Sequence, residues 1–211
     1  MRKDSKKSPE LENFSDAQIE DFERENEKEL ELSLLACYDY FDIKKNNPST
    51  SEEKKGFYKK KQIEIEEKFE SHNSSDFPDT PKLAKLQQEN REKIMDLLKS
   101  DTDLSPDSDP NDILKSYLKS RIEEARIHMN GVKTQSIKLK NAIDGDELNY
   151  KQASDLAIRQ AKYIKAVDPL VVLLKSNKEV IDDLGLTSEY NNVFTKENLE
   201  DYDKSRTIAA K

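Results

Sequence analysis

Residues 118–143, LKSRIEEARIHMNGVKTQSIKLKNAI, place Leu118, Ile122, Ala125, Met129, Val132, Ser136, Leu139 and Ile143 at spacings that alternate four and three. A helix carries such positions along one side as a continuous seam. A 3.5-residue rhythm held over roughly three heptads argues for packing against another helix rather than for a merely amphipathic surface. Ala125 and Ser136 make the seam thin. On this reading Leu118, Ile122, Met129, Val132, Leu139 and Ile143 are expected to form an interface with a partner helix.

The flanking sequence brackets that helix. Asp109-Pro110 offers an N-cap followed by proline at the first helical position, and Asp144-Gly145-Asp146 supplies a turn. Beyond the turn, Ala153, Leu156, Ala157, Gln160, Tyr163, Ile164 and Val167 mark one face of a helix expected to fold back antiparallel. Asp168-Pro169 is expected to interrupt or kink it, because proline lacks the N–H that the helix needs. Leu170, Val171, Leu173, Leu174, Ile181 and Leu184 then lead to Gly185, a natural residue to follow a helix end. Residues 109–185 thus read as the bundle or coiled-coil core, and 186–211 as an acidic C-terminal tail with one short helix capped by Thr195.

Toward the N-terminus, residues 1–14 contain too few apolar side chains to offset the entropy of ordering and are expected to form a disordered tail. Ser15 with Gln18 has capping-box spacing and opens a helix that Asn46-Asn47-Pro48 ends. Ile19, Phe22, Leu30, Leu34, Cys37, Tyr38 and Phe41 form its stripe. Thr50 with Glu53 repeats the spacing and opens a second helix to about Glu70, with Tyr58, Ile65 and Phe69 on one face; together these make a charged helical hairpin over 15–72. Polar linkers over 73–108 flank a short helix, 80–99, for which Thr80-Pro81 provides cap and first-turn proline.

Composition agrees. Apolar residues are 34% and charged residues 38% of the 211, against roughly 45–50% and 25% in ordinary domains. With only four glycines, no tryptophan and no alternating β-branched runs, the expected class is all-α: an elongated antiparallel helical bundle or coiled coil. The net charge of −8 opposes general attraction to nucleic acid or anionic lipid. A single cysteine cannot form an internal disulfide, and no apolar run approaches the roughly 18–20 residues of a membrane span. The N-terminal basic residues have no apolar segment behind them, so an intracellular setting, cytoplasm or nucleus, is expected.

Two charged stretches raise binding readings. Lys54, Lys55, Lys59, Lys60 and Lys61 interleave with Phe57 and Tyr58, the combination that a single-stranded nucleic acid, a lipid headgroup or a nuclear-import receptor would use. On a helix these lysines point several ways and glutamates follow at once, so a solvated face with Tyr58 buried is the plainer reading. Ten acidic residues between Glu10 and Glu31 suit solvation, a basic partner, or pairing with that lysine cluster.

Catalytic and metal signatures are weak. Asp101 to Asp112 places oxygen side chains at calcium-loop positions, but Pro106 stands where the loop needs glycine and Asp112 is shorter than the usual glutamate. No glycine-rich phosphate loop or nucleophile elbow occurs. His72 and His128 lie far apart, Cys37 has no histidine nearby in sequence, and no cofactor or metal is expected. Lys115 to Ile122, followed by Ala161-Lys162-Tyr163-Ile164-Lys165, is similar to the helical domain of subunits of the GINS replication complex. The segment after Gly185 is too short and polar to match the small β-domain those subunits carry. The likeness implies a helical subunit that works through interfaces. The function expected is therefore a non-enzymatic scaffold, adaptor or assembly subunit, forming a homo- or hetero-oligomer. The alternative is a nucleic-acid or membrane-surface binder using the lysine cluster, of replication or chromatin type.

Overall fold

Side-chain caps set where the helices begin. In the computed structural model, which describes residues 15–73, 76–98, 104, 108–145 and 150–209, Ser15 and Gln18 exchange the two reciprocal bonds of a capping box, 2.8 and 3.3 Å, at the start of α1 (Asp16–Asn46). Asp109 accepts from the Asn111 amide at 2.8 Å and Pro110 follows at the first position of α4 (Pro110–Asp144). The Asn198 amide donates to the Thr195 hydroxyl at 3.1 Å at the start of α8 (Lys196–Ala209). The expected tail 1–14 lies outside the described residues, as do 99–103, 105–107 and 146–149, and with them most of the candidate calcium loop.

Two caps fall one residue away from the expected site. α2 (Glu52–Asn73) is capped by Ser51, which accepts from the Lys54 amide; the Thr50 hydroxyl instead donates to the Lys44 carbonyl at 2.8 Å, satisfying one of the orphan acceptors at the end of α1. α3 (Thr80–Leu98) is capped by Asp79, whose carboxylate accepts from the Lys82 amide at 3.2 Å. Thr80 and Pro81 then lie inside the first turn, where a missing N–H costs no helical bond.

α5 (Tyr150–Ser176), α6 (Lys178–Asp183) and α7 (Thr187–Val193) complete the set; among the described residues every element is an α-helix and no strand occurs. Gly185, at φ 74°, ends α6 as expected, and its amide bonds the Asp182 carbonyl at 3.0 Å. α7 is absent from the reading of 186–211. Leu186, Tyr190, Val193 and Phe194 are buried, and the Tyr190 and Phe194 rings stack 4.5 Å apart, so this segment belongs to the packed structure.

The helices gather into two units that are not contiguous in sequence, so the packing divides the chain differently from the expected segments 15–72, 73–108, 109–185 and 186–211. α1 and α4 each contribute one part to each unit. The unit made of Lys28–Leu118 and Ser176–Gly185 buries Leu34, Leu35, Cys37, Tyr40, Phe41, Tyr58, Ile65, Phe69, Ile94, Ile113 and Ile181. Polar groups fix its register. Asn177 donates to Ser33 at 2.7 Å, Asn90 donates to the Leu32 carbonyl at 2.7 Å, and Tyr40 donates to Asp183 at 3.1 Å. Burial pushes the Cys37 thiol up to about 12, so it remains protonated and inert.

The other unit holds the described part of Met1–Glu27 with Lys119–Lys175 and Leu186–Lys211. Here α5 runs unbroken through Pro169, contrary to the expected interruption. Proline gives no donor to the Lys165 carbonyl one turn back, but the two carbonyls on either side of it take side-chain donors. Asn26 Nδ2 donates to Ala166 at 2.7 Å and the Tyr202 hydroxyl lies 3.3 Å from the Ile164 carbonyl. The Asn26 donor from α1 thus ties down the turn whose own ladder is weakened, and Tyr202 of α8 holds Asp168 beside the proline at 2.9 Å. Asn26→Ala removes a buried donor from that stretch and is expected to lower unfolding free energy by about 1–3 kcal/mol in urea melts. The exposed neighbour Glu25→Ala should change it by less than about 0.5 kcal/mol.

Candidate interaction surfaces

The heptad seam of α4 faces the chain itself. Leu118, Ile122, Ala125, Met129, Val132 and Leu139 are all buried, so five of the six residues expected to meet a partner are already covered. Ile143 alone is open, half exposed at 50%. The reason is that the helices nearest in sequence and the C-terminal helix supply the facing surface. The His128–Tyr163 and Ser136–Gln160 contacts step down α5 as they climb α4, the expected antiparallel pairing. On the flank, Lys133 meets Asp201 at 2.6 Å and the hydroxyls of Ser136 and Ser205 lie 2.8 Å apart, so α8 runs parallel to α4.

Ser136, the polar break in the seam, is where these helices meet. Gln160 Nε2 donates to its hydroxyl, and Gln160 and Ser205 are both buried. The polar break therefore fixes the register of α5 against α4. The Lys133 ammonium holds Asp201 below the ordinary carboxylate range and is itself raised.

His128, read as a flanking position, lies in a chain of polar groups. Its Nε2 faces Glu124 at 3.7 Å, its Nδ1 is 2.5 Å from the Tyr163 hydroxyl, and its ring is 4.5 Å from Phe22 of α1. Arg121 holds Glu124 at 2.6 Å. A carboxylate beside Nε2 favours the proton there, leaving Nδ1 to accept from Tyr163. Burial, then Glu124, raises the Tyr163 pKa, so the hydroxyl keeps its proton and acts as a donor. Tyr163 is 2% exposed, and the contact joins α4 to α5 beneath the surface.

The lysine cluster of α2 spreads around its helix. Tyr58 turns inward, with its ring 5.9 Å from Phe41, while Phe57 stays exposed beneath the Lys61 ammonium at 5.6 Å. Lys61 bridges Glu64 at 2.8 Å and Glu179 of α6 at 2.9 Å, and Lys55 pairs with Glu52 at 2.7 Å. Lys54, Lys59 and Lys60 point outward, Lys60 within 4.0 Å of Glu64. The acidic run of α1 finds its cations on α5 rather than here: Asp16 bonds Lys162 at 2.8 Å and Glu23 bonds Lys165 at 2.6 Å. The Lys162 hydrogen bond holds the Asp16 carboxyl below its usual range.

Concave sites are small or open. A cavity of about 30 Å³ between α1, α3 and the first turn of α4 is lined by Leu35, Tyr40, Asn90, Ile94 and Leu114, room for about a single water. An open cleft of about 530 Å³ at the α1–α2 bend is lined by Lys45, Asn47, Glu52, Lys55 and Lys59. Among the described residues no group of three or more His, Cys, Asp or Glu is arranged to hold a metal, and no helix is long and apolar enough to cross a membrane.

Four of the large apolar side chains exposed among the described residues lie on α4 and α5 toward their connection, the others being Ile43, Phe57, Ile63 and Val172. Ile137, Ile143, Tyr150 and Ile158 are 52%, 50%, 91% and 56% exposed. The antiparallel register set by Ser136 and Gln160 puts Ile137 within one residue of level with Ile158, and Ile143 level with Ala153. The seam spacing points to Ile143 but gives no sign of Tyr150 or Ile158, because exposure depends on which helix covers a position and not on its spacing. Compared with protein-family models, with curated proteins and with solved structures, the chain matches none, and the likeness to GINS subunits finds no support there. Truncation separates the covered seam from its open end. Leu139→Ala should cost about 2–5 kcal/mol of stability, whereas Ile143→Ala should cost less than about 0.5 kcal/mol, both read by urea unfolding of the full chain.

Proposed function

We propose that this chain is a non-enzymatic protein–protein interaction protein of the cytoplasm or nucleus, a scaffold, adaptor or assembly subunit that works through helix faces. The observation that carries the reading is the set of large apolar side chains left in solvent at one end of the α4–α5 hairpin. Ile43, Phe57, Ile63 and Val172 are exposed elsewhere among the described residues, and uncovered apolar side chains on helices have the character of contact surface. The small size of the cavity between α1, α3 and α4 and the burial of Tyr163 and Cys37 favour this reading over chemistry on a small substrate.

The second reading, binding of nucleic acid or a membrane surface through Lys54, Lys55, Lys59, Lys60 and Lys61, draws on the outward lysines beside exposed Phe57. Self-pairing of Lys55 and Lys61 with nearby carboxylates and the net charge of −8 weaken it. The two readings part in one experiment. The full chain, recovered from its native extract and sized by light scattering, should carry a stoichiometric protein partner or a second copy, and Lys54→Ala, Lys59→Ala and Lys60→Ala together should leave that mass unchanged. Recovery as a lone 24.4 kDa chain, or loss of the complex in the lysine variant alone, contradicts the proposal.

A further inference from the structure

Asn90 stands on the buried face of α3, four residues before Ile94, and is 2% exposed. Half of its carboxamide is accounted for, since Nδ2 donates to the Leu32 carbonyl of α1 at 2.7 Å. That bond fixes which end of the amide is which, because a carbonyl can only accept. The other half is not accounted for: Oδ1 is buried and receives no hydrogen bond from the protein. A buried acceptor left without a donor lowers the folding equilibrium constant by about tenfold or more, so native interiors rarely leave one.

The same residue lines the cavity between α1, α3 and the first turn of α4. Leu35, Ile94, Ile113 and Leu114 give that cavity buried apolar walls. Its polar lining includes Gln87, three residues before Asn90, and Asn111 in the first turn of α4, whose side-chain amides make no hydrogen bond among the described residues. Asp39 and Arg91 line it too but are taken up with each other. The exposed Ile43 belongs to the lining as well, so solvent has a way in.

We propose that this cavity is a binding site for one ordered water, which donates to Asn90 Oδ1 and accepts from the side-chain amides of Gln87 and Asn111. Three polar partners are the usual complement of an internal water, and about 30 Å³ holds one water or little more. A small organic ligand or a leucine from a partner chain is too large for that space, and an apolar occupant would leave Oδ1 unpaired. A metal cation is disfavoured because Arg91 already occupies the Asp39 carboxylate. The water joins α3 to α4 as Asn90 Nδ2 joins α3 to α1, so one carboxamide ties three helices of this unit together.

The test is a high-resolution crystal structure of the full chain, read together with water–protein NOE spectroscopy in solution. Density for a water is expected within hydrogen-bond distance of Asn90 Oδ1 and of the Gln87 and Asn111 amides, with cross-peaks of the sign of a long-lived water to the Leu35 and Ile94 methyls. Asn90→Leu should lose both the density and the cross-peaks. Should that variant fail to fold, Ala36→Val narrows the cavity from its α1 wall, leaves Asn90 in place and should give the same loss. A dry cavity, a protein donor on Oδ1 in place of the water, cross-peaks with the sign of rapidly exchanging surface water alone, or a water that persists in either variant would each overturn the proposal.

Discussion

Ser136 occupies a seam position where a heptad would ordinarily place a large apolar side chain, and the packing of α4 turns on that substitution. Its hydroxyl receives Gln160 of α5 and meets Ser205 of α8 at 2.8 Å. A leucine there would be indifferent to how α5 slides along α4; a hydroxyl that receives Gln160 is not, because a shift of one turn would strand the buried Gln160 amide, while the two serine hydroxyls keep the Val132 and Asp201 carbonyls of their own helices. A single polar position therefore sets the register of α5 on α4, with Val132 and Leu139 providing the apolar area on either side.

The same economy recurs through the chain. With apolar residues at 34%, each unit supplements its core with polar groups placed where the backbone needs them. Asn26 serves the Ala166 carbonyl in the turn before Pro169, and Asn90 serves the Leu32 carbonyl. Ion pairs add to this, Asp16 and Glu23 of α1 with Lys162 and Lys165 of α5, and Lys61 of α2 with Glu64 and Glu179.

Much of the local structure is legible in the sequence. The four-and-three spacing yields α4 and its antiparallel return, Ser15 with Gln18 and Asp109 with Pro110 mark helix starts, and Gly185 marks a helix end. Adjacent capping residues are ambiguous: Thr50 and Thr80 have the right chemistry, but Ser51 and Asp79 are the caps because each stands immediately before the first helical residue. Pro169 does not interrupt α5, and the Asn26 donor to the adjoining turn comes from a residue far away in sequence. α7 escapes a sequence reading because seven residues show too little periodicity. The division into units is hidden as well, since α1 and α4 each serve both, and no linear segmentation expresses that. The largest difference concerns the seam. Spacing declares that Leu118 to Ile143 must meet a helix, yet says nothing of whose helix it is, and the chain supplies its own for all but the last position.

Whether the seam closes inside one chain is tested most directly by a crosslink between its two serines. In a Cys37→Ser background, Ser136→Cys with Ser205→Cys places two thiols where the native oxygens are 2.8 Å apart, within easy reach of disulfide geometry. Mild oxidation at micromolar concentration should give an internally bridged monomer in high yield, independent of protein concentration. Covalent dimers, or thiols that stay free, would contradict the account, because α8 would then not lie on the α4 of its own chain.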